Sequence, residues 1–102
     1  MIEEIIHIAQ NNFAIQASEA DFIDVLAAKI NQLILHDFNK LISILYRADI
    51  DEKKLNHIFE ENKNEAAGKL IAHLFIQRQM EKIKWREALK GKINTDSDEE
   101  KW

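Results

Sequence analysis

The chain has 102 residues, of which 46% are hydrophobic and 31% are charged, and its formal net charge is −4. It contains no cysteine and no proline, which excludes disulfide scaffolds and cysteine-bound metals. Glycine occurs only at positions 68 and 91, so the phosphate-binding motifs GxGxxG and GxxxxGK[ST] are absent as well. The length is that of one small domain.

No run of consecutive apolar residues is longer than the four at positions 25–28, whereas a membrane-spanning helix needs about 20. The first residues, MIEEIIHIAQNN, are acidic and do not resemble a secretory signal. We therefore expect a soluble cytoplasmic protein without a membrane partner.

The first two predicted helices are separated by a polar turn. Apolar residues recur along one face of the first helix, at Ile2, Ile5, Ile6, Ala9 and Phe13. Residues 18–21 resemble a capping box with Asp21 in place of the usual glutamate, so a second helix is expected to begin at residue 19. Its apolar stripe keeps the helical period at Ile23, Ala27, Ile30, Ile34, Phe38, Leu41 and Leu45.

This second stripe is long for so small a domain. A continuous helix over residues 19–47 would measure about 43 Å, and a compact domain of about 100 residues has a radius of gyration of only about 13 Å. A bend at His36 and Asp37, with Asp37 capping the second half, would resolve the conflict. An unbroken helix would instead expose apolar surface for a second subunit to cover. The sequence permits both arrangements.

Two more helices are predicted in the second half of the chain. Asp51 is the expected N-cap of a helix that ends near residue 62 and turns Leu55, Ile58 and Phe59 inward. Asn64 is the expected cap of a last helix over residues 65–90, with Gly91 as its C-terminal cap. The apolar stripe of this last helix consists of Ala67, Leu70, Ile71, Leu74, Phe75 and Ile83.

We therefore predict an all-α fold, a compact bundle of four to five helices over residues 1–91. Residues 92–102 are polar and acidic, and we expect them to form a disordered tail. No segment shows the apolar alternation that is typical of strands.

The charges are unevenly distributed along the chain. Residues 1–62 contain 5 Lys/Arg and 11 Asp/Glu, whereas residues 63–92 contain 8 Lys/Arg and 3 Asp/Glu. A basic segment can indicate a nucleic-acid footprint. Pairing of this segment with the acidic body is the simpler interpretation, because net-negative proteins bind polyanions poorly.

No catalytic or metal-binding constellation is complete in the sequence. There is no G-x-S-x-G motif. Glu4 and His7 have the Glu-x-x-His spacing of dinuclear metal sites, but a second such pair is absent. We therefore expect a protein that is not an enzyme and has no cofactor or metal.

Arg47 precedes a short acidic cluster that contains Asp49 and Asp51. We expect Arg47 to form charge-assisted hydrogen bonds to one of these carboxylates or to the last carbonyls of its own helix. These three residues would then form a structural polar network. An anion clamp built on Arg47 is the alternative.

The last helix is the most unusual segment. Three of its cations, at positions 78, 82 and 86, are spaced four residues apart and form one basic stripe. Large apolar residues lie beside this stripe, a combination that is typical of protein interfaces. The helix can alternatively extend past the core as an amphipathic helix, or bind nucleic acid or an anionic membrane. The candidate interaction residues are Arg78, Lys82, Ile83, Trp85, Arg86 and Leu89.

Two strings, LYRADIDEKKL at residues 45–55 and IAHLFIQRQ at residues 71–79, resemble a group of small, uncharacterised, all-helical bacterial proteins. The similarity covers about residues 38–86. The resemblance implies a helical fold and a bacterial cytoplasm, and it places Arg47 and Arg78 in a structural polar network. Because the group has no assigned activity, the resemblance implies no reaction.

The sequence therefore favours a non-enzymatic module for protein interaction or structural support. Self-association is expected through the stripe formed by the second and last helices. Binding of an anionic ligand or nucleic acid through the basic last helix is the alternative. Salt separates these hypotheses, because phosphate-backbone binding falls steeply as the salt concentration rises.

Overall fold

The computed structural model describes the backbone of residues 1–61 and 66–95, and the side chains of residues 1–61 and 66–90. Its five helices are α1 (Ile2–Phe13), α2 (Phe22–His36), α3 (Phe38–Arg47), α4 (Glu52–Glu61) and α5 (Ala66–Thr95). No strand occurs in these two ranges. The predicted all-α bundle is therefore confirmed.

Helix α1 buries the face that its apolar spacing predicts. Ile5, Ile6, Ala9 and Phe13 are buried. The helix ends at Ala14, which has a φ of 56° and adopts the left-handed conformation that closes many helices.

Helix α2 begins three residues later than predicted. The backbone N–H and the hydroxyl of Ser18 both donate to Asp21 Oδ1, at 2.7 and 2.8 Å. The hydroxyl bond, followed by the backbone bond, lowers the pKa of Asp21 from its ordinary 3.8. The expected carboxylate-to-backbone contact therefore forms, but it closes a turn over residues 19–21 that precedes the helix.

The buried face of α2 also differs from the prediction. Phe22 and Leu26 are buried, whereas Ile23, one position further on, is 36% exposed. Ile30 belongs to both the predicted and the observed face and is fully buried. Because residues 25–28 are all apolar and Phe22 and Ile23 are adjacent, spacing alone does not select between two faces about 100° apart.

Asp37 separates α2 from α3, which confirms the predicted bend and excludes the unbroken helix. Its backbone is not helical, with a φ of −156° and a ψ of 67°. Its Oδ1 accepts a hydrogen bond from the backbone N–H of Lys40 at 3.2 Å. This is the N-cap bond that satisfies one of the unpaired donors at the start of α3.

Helix α4 is capped as predicted by Asp51, whose Oδ1 accepts from the backbone N–H of Lys53 at 2.9 Å. Leu55 is buried and Phe59 is half-buried. The helix ends at Glu61, close to the predicted end. Asn64, the predicted cap of the last helix, lies outside the described residues.

Helix α5 packs mainly against α2, and this is the most extensive helix–helix contact in the described fold. Its Phe75 meets Phe13 of α1 edge to face, with ring centroids 5.2 Å apart. Gly68 allows α5 to approach α2 closely, since a Cβ at this position would lie 2.4 Å from Asn31 Oδ1. The two long helices predicted from the sequence therefore pair within one chain.

The end of α5 lies beyond the position predicted for it. The helix continues to Thr95, so Gly91 lies inside the helix and is not its C-terminal cap. The predicted tail overlaps the helix over residues 92–95, and residues 96–102 lie outside the described residues. All seven residues at positions 84–90 are exposed. The helix therefore projects past the body of the bundle.

Candidate interaction surface

Two cations of the predicted basic stripe form ion pairs with other parts of the fold. Lys82 Nζ lies 3.4 Å from Asp49 Oδ2, in the turn between α3 and α4. Arg86 Nη2 donates to Glu4 Oε2 of α1 at 2.6 Å. Exposed pairs of this kind each contribute at most about 1 kcal/mol to stability. Their main effect is to neutralise the stripe where α5 leaves the body.

The third cation of the stripe, Arg78, pairs within its own helix. Its Nη1 lies 3.1 Å from Glu81 Oε1, while its buried Nε has no hydrogen-bond partner among the described residues. Arg78 lines a cleft of about 200 Å³ between α5 and the turn before α4, and three carboxylates and one lysine lie there with it. This balance of charge does not favour an anion.

The predicted polar network around Arg47 is wrong in its partners. Arg47 Nη2 lies 3.5 Å from Ser43 Oγ, one turn earlier on α3. Asp49 pairs instead with Lys82 and has a left-handed φ of 62°. Asp51 caps α4. The three residues therefore have three separate local partners and do not form one network.

The apolar candidates on α5 divide into two groups. Ile83 is only 3% exposed and belongs to the core, so its assignment to an interaction surface is wrong. Trp85 is 71% exposed, and Leu89 is exposed as well. These two side chains lie on the projecting end of the helix, as the sequence predicts for residues beyond the core.

A groove of about 430 Å³ between α3 and α4 is a surface that the sequence did not predict. Phe38, Ile42 and Tyr46, each four residues apart, form the exposed α3 side of this groove, and Tyr46 is 81% exposed. Phe38 and Phe59 meet edge to face across the two helices at 5.2 Å. The lining residues are Phe38, Ile42, Tyr46, Asp49, Ile50, Glu52, Leu55, Asn56 and Phe59.

The sequence does contain a signal for this groove. Positions 38, 42 and 46 form a second apolar stripe on α3, beside the buried residues Leu41 and Leu45. Phe38 also fits the period of the buried stripe, which predicts a core position for it. In the structure Phe38 is exposed, and α3 carries two apolar faces, of which only one is buried.

Two other kinds of site are absent from the described residues. No group of three or more histidine, aspartate or glutamate side chains in residues 1–61 and 66–90 is placed to hold a metal ion. His7 lies near Asn11, at 3.4 Å, and His57 lies 3.7 Å from Glu61. No described helix is both long enough and apolar enough to span a bilayer.

The sequence matches no protein-family model, and the searches of curated proteins and of solved structures find no match either. The resemblance of residues 38–86 to small helical bacterial proteins therefore stays a prediction. The surface chemistry of the chain itself provides the basis for a functional proposal.

Proposed function

We propose that the protein is a non-enzymatic helical module of the cytoplasm that binds an amphipathic helix of a protein partner in the α3–α4 groove. The observation that carries this proposal is the exposed apolar stripe of Phe38, Ile42 and Tyr46. A stripe with helical spacing beside a second helix is the usual receptor for an apolar helix face.

The exposure of this apolar stripe to water supports the proposal. Soluble monomers rarely expose a contiguous apolar patch larger than a few hundred Å², and larger patches mark interaction sites. Tyr46 and Phe38 are also well suited as anchors, because a rigid aromatic ring contributes much contact area for little conformational entropy.

The charge of the groove indicates the chemistry of the partner. Asp49, which pairs with Lys82, and Glu52 are the acidic residues among its lining side chains, and no lysine or arginine lines it. An apolar helix with basic flanking residues complements this pattern. Such complementarity mainly favours correct pairing and fast association.

The alternative function, binding of an anionic ligand or nucleic acid through α5, has less support. Each cation of the stripe at positions 78, 82 and 86 already lies within 3.4 Å of a carboxylate. A polyanion would have to compete with these carboxylates, and it would meet a chain of net charge −4.

A lysate of the source organism tests the proposal, with the intact chain and two matched variants as baits. Ile42→Lys places a charge in the groove, whereas Leu35→Lys places the same charge on an exposed α2 position outside it. We expect a set of proteins that wild type and Leu35→Lys retain at moderate salt and that Ile42→Lys loses. Identical captured sets for all three baits would contradict the proposal.

A further inference from the structure

We infer that the groove is filled by a second copy of this chain, whose α5 arm (residues 84–90) docks between α3 and α4 while its own groove receives the first copy's arm. This inference rests on the proposed function, because it names the occupant of the same groove. Four features of the described residues support it.

The first feature is the position of the arm's apolar face. Leu89 follows the buried Phe75 by 14 residues, about four helical turns, so it lies on nearly the same side of α5. Trp85 lies one turn before Leu89. Trp85 and Leu89 therefore form a short apolar strip on the arm, beside Arg86, which pairs with Glu4, and both side chains are exposed among the described residues.

The second feature is the share of exposed apolar surface that the two sites contain. Nine large hydrophobic side chains are exposed among the described residues, and five of them lie in the groove or on the arm. These five together expose about 500 Å² per copy. A reciprocal pair would therefore bury about 1,000 Å² from these side chains alone, close to the lower limit for a specific interface.

The third feature is the proximity of the two sites. Asp49 lines the groove and pairs with Lys82, which is two residues before the arm begins. Trp85 projects only about 60° around the helix from Lys82. Since groove and arm meet at this ion pair, a two-fold axis close to it would bring each arm against the other copy's groove. A single self-complementary patch is sufficient for such a dimer.

The fourth feature is charge. Asp49 of the groove and Arg86 of the arm already pair with Lys82 and Glu4 of the same chain. Glu52 in the groove, and Lys84 and Lys90 against Glu87 on the arm, are the further charges of the two sites. The same difference in charge extends over the chain. Residues 1–62 contain 11 acidic and 5 basic residues, whereas residues 63–92 contain 3 acidic and 8 basic residues. Docking α5 of one copy against α3 and α4 of the other pairs unlike charges.

A second copy also explains more than a foreign helix does. A foreign helix in the groove would leave Trp85 and Leu89 in water. Reciprocal docking covers the groove and the arm in one interface.

Sedimentation equilibrium of the full chain across a range of micromolar concentrations tests the inference. We expect the mass to rise from 11.9 kDa toward twice that value. Trp85→Ala in the arm and Ile42→Lys in the groove should each weaken dimerisation at least about tenfold, the scale for losing a buried anchor. Leu35→Lys should dimerise like wild type, since Leu35 belongs to neither surface.

Mixing the two variants provides the decisive measurement. A Trp85→Ala chain has an intact groove and an Ile42→Lys chain has an intact arm, so the mixed pair retains one of the two contacts. We expect the mixture to associate more tightly than either variant alone and less tightly than wild type. Tyr46→Ala serves as a second groove variant, and helical circular dichroism checks that all chains are folded.

A wild-type mass fixed at 11.9 kDa would overturn the inference, as would dimerisation unaffected by both variants or a mixture that associates no better than its components. The proposed function fails separately. A monomeric chain whose lysate partners are lost with Ile42→Lys would keep the groove as a binding site for another protein and reject the second copy. A monomeric chain without such partners would reject both.

Discussion

Replacing Gly68 by alanine tests the close packing of α2 against α5. The new Cβ would lie 2.4 to 2.6 Å from three atoms of the Asn31 side-chain amide, which are its nearest neighbours. A Cβ atom does not approach a non-bonded heavy atom so closely, so Asn31 has to move or the two helices have to separate.

Two opposing effects determine how much Gly68→Ala changes the free energy of unfolding. Alanine is better than glycine inside a helix by about 1 kcal/mol, whereas overpacking a close contact costs about 1–3 kcal/mol. We therefore expect Gly68→Ala to lower the free energy of unfolding by about 1 kcal/mol. In an Asn31→Ala background the obstructing amide is absent, and Gly68→Ala should raise the free energy of unfolding by about 1 kcal/mol.

Thermal and urea unfolding of the four chains in this cycle, followed by circular dichroism, measures both effects. For a domain of this size the expected change corresponds to a shift in Tm of about 4–8 °C, downward in the wild-type background and upward in the Asn31→Ala background. If Gly68→Ala stabilised both backgrounds equally, the close approach at Asn31 would not limit the packing of α5.

Three further predictions concern single side chains. Asp37→Ala removes the N-cap bond of α3 and should lower the free energy of unfolding in urea by about 1 kcal/mol. Ser18→Ala should raise the pKa of Asp21 toward 3.8 in an NMR titration. Because the folded pKa is depressed, the Ser18 contact stabilises the fold above pH 3.8 and loses this effect as the pH falls through the folded pKa, so the variant should lose less stability in acid. Phe13→Ala removes a fully buried ring that packs on Phe75 and should cost about 3–5 kcal/mol by thermal unfolding. An effect below about 1 kcal/mol would mean that this part of the core repacks.

Local rules predicted those parts of the fold that local interactions decide. The inner face of α1 and the caps at Asp37 and Asp51 depend on residues within one turn of each other, and all three are confirmed. The predicted start of α2 was wrong because the contact between Ser18 and Asp21 can close an isolated turn as readily as it can begin a helix. The predicted buried face of α2 was wrong because the first turns of this helix are apolar on two sides.

The parts that depend on distant packing were not predictable from spacing. Ile83 and Trp85 are both large apolar residues near the end of the predicted stripe, and they lie on different sides of α5, two residues apart. The point at which the body ends decides that Ile83 is still buried and that Trp85 and Leu89 are exposed. The groove requires the relative placement of α3 and α4, and Gly68 acquires its role only when α2 lies against α5. The apolar stripe at positions 38, 42 and 46 is the part of the candidate site that the sequence pattern indicates.

The pairing of α2 with α5 determines when the chain can finish folding. The end of α2 and the start of α5 are separated by the 29 residues at positions 37–65. While the ribosome has released only α1 to α4, Phe22, Leu26 and Ile30 lack the helix that covers them. The core therefore closes only after Phe75 has emerged. Nascent chains that stop before α5 present this uncovered face to chaperones and proteases.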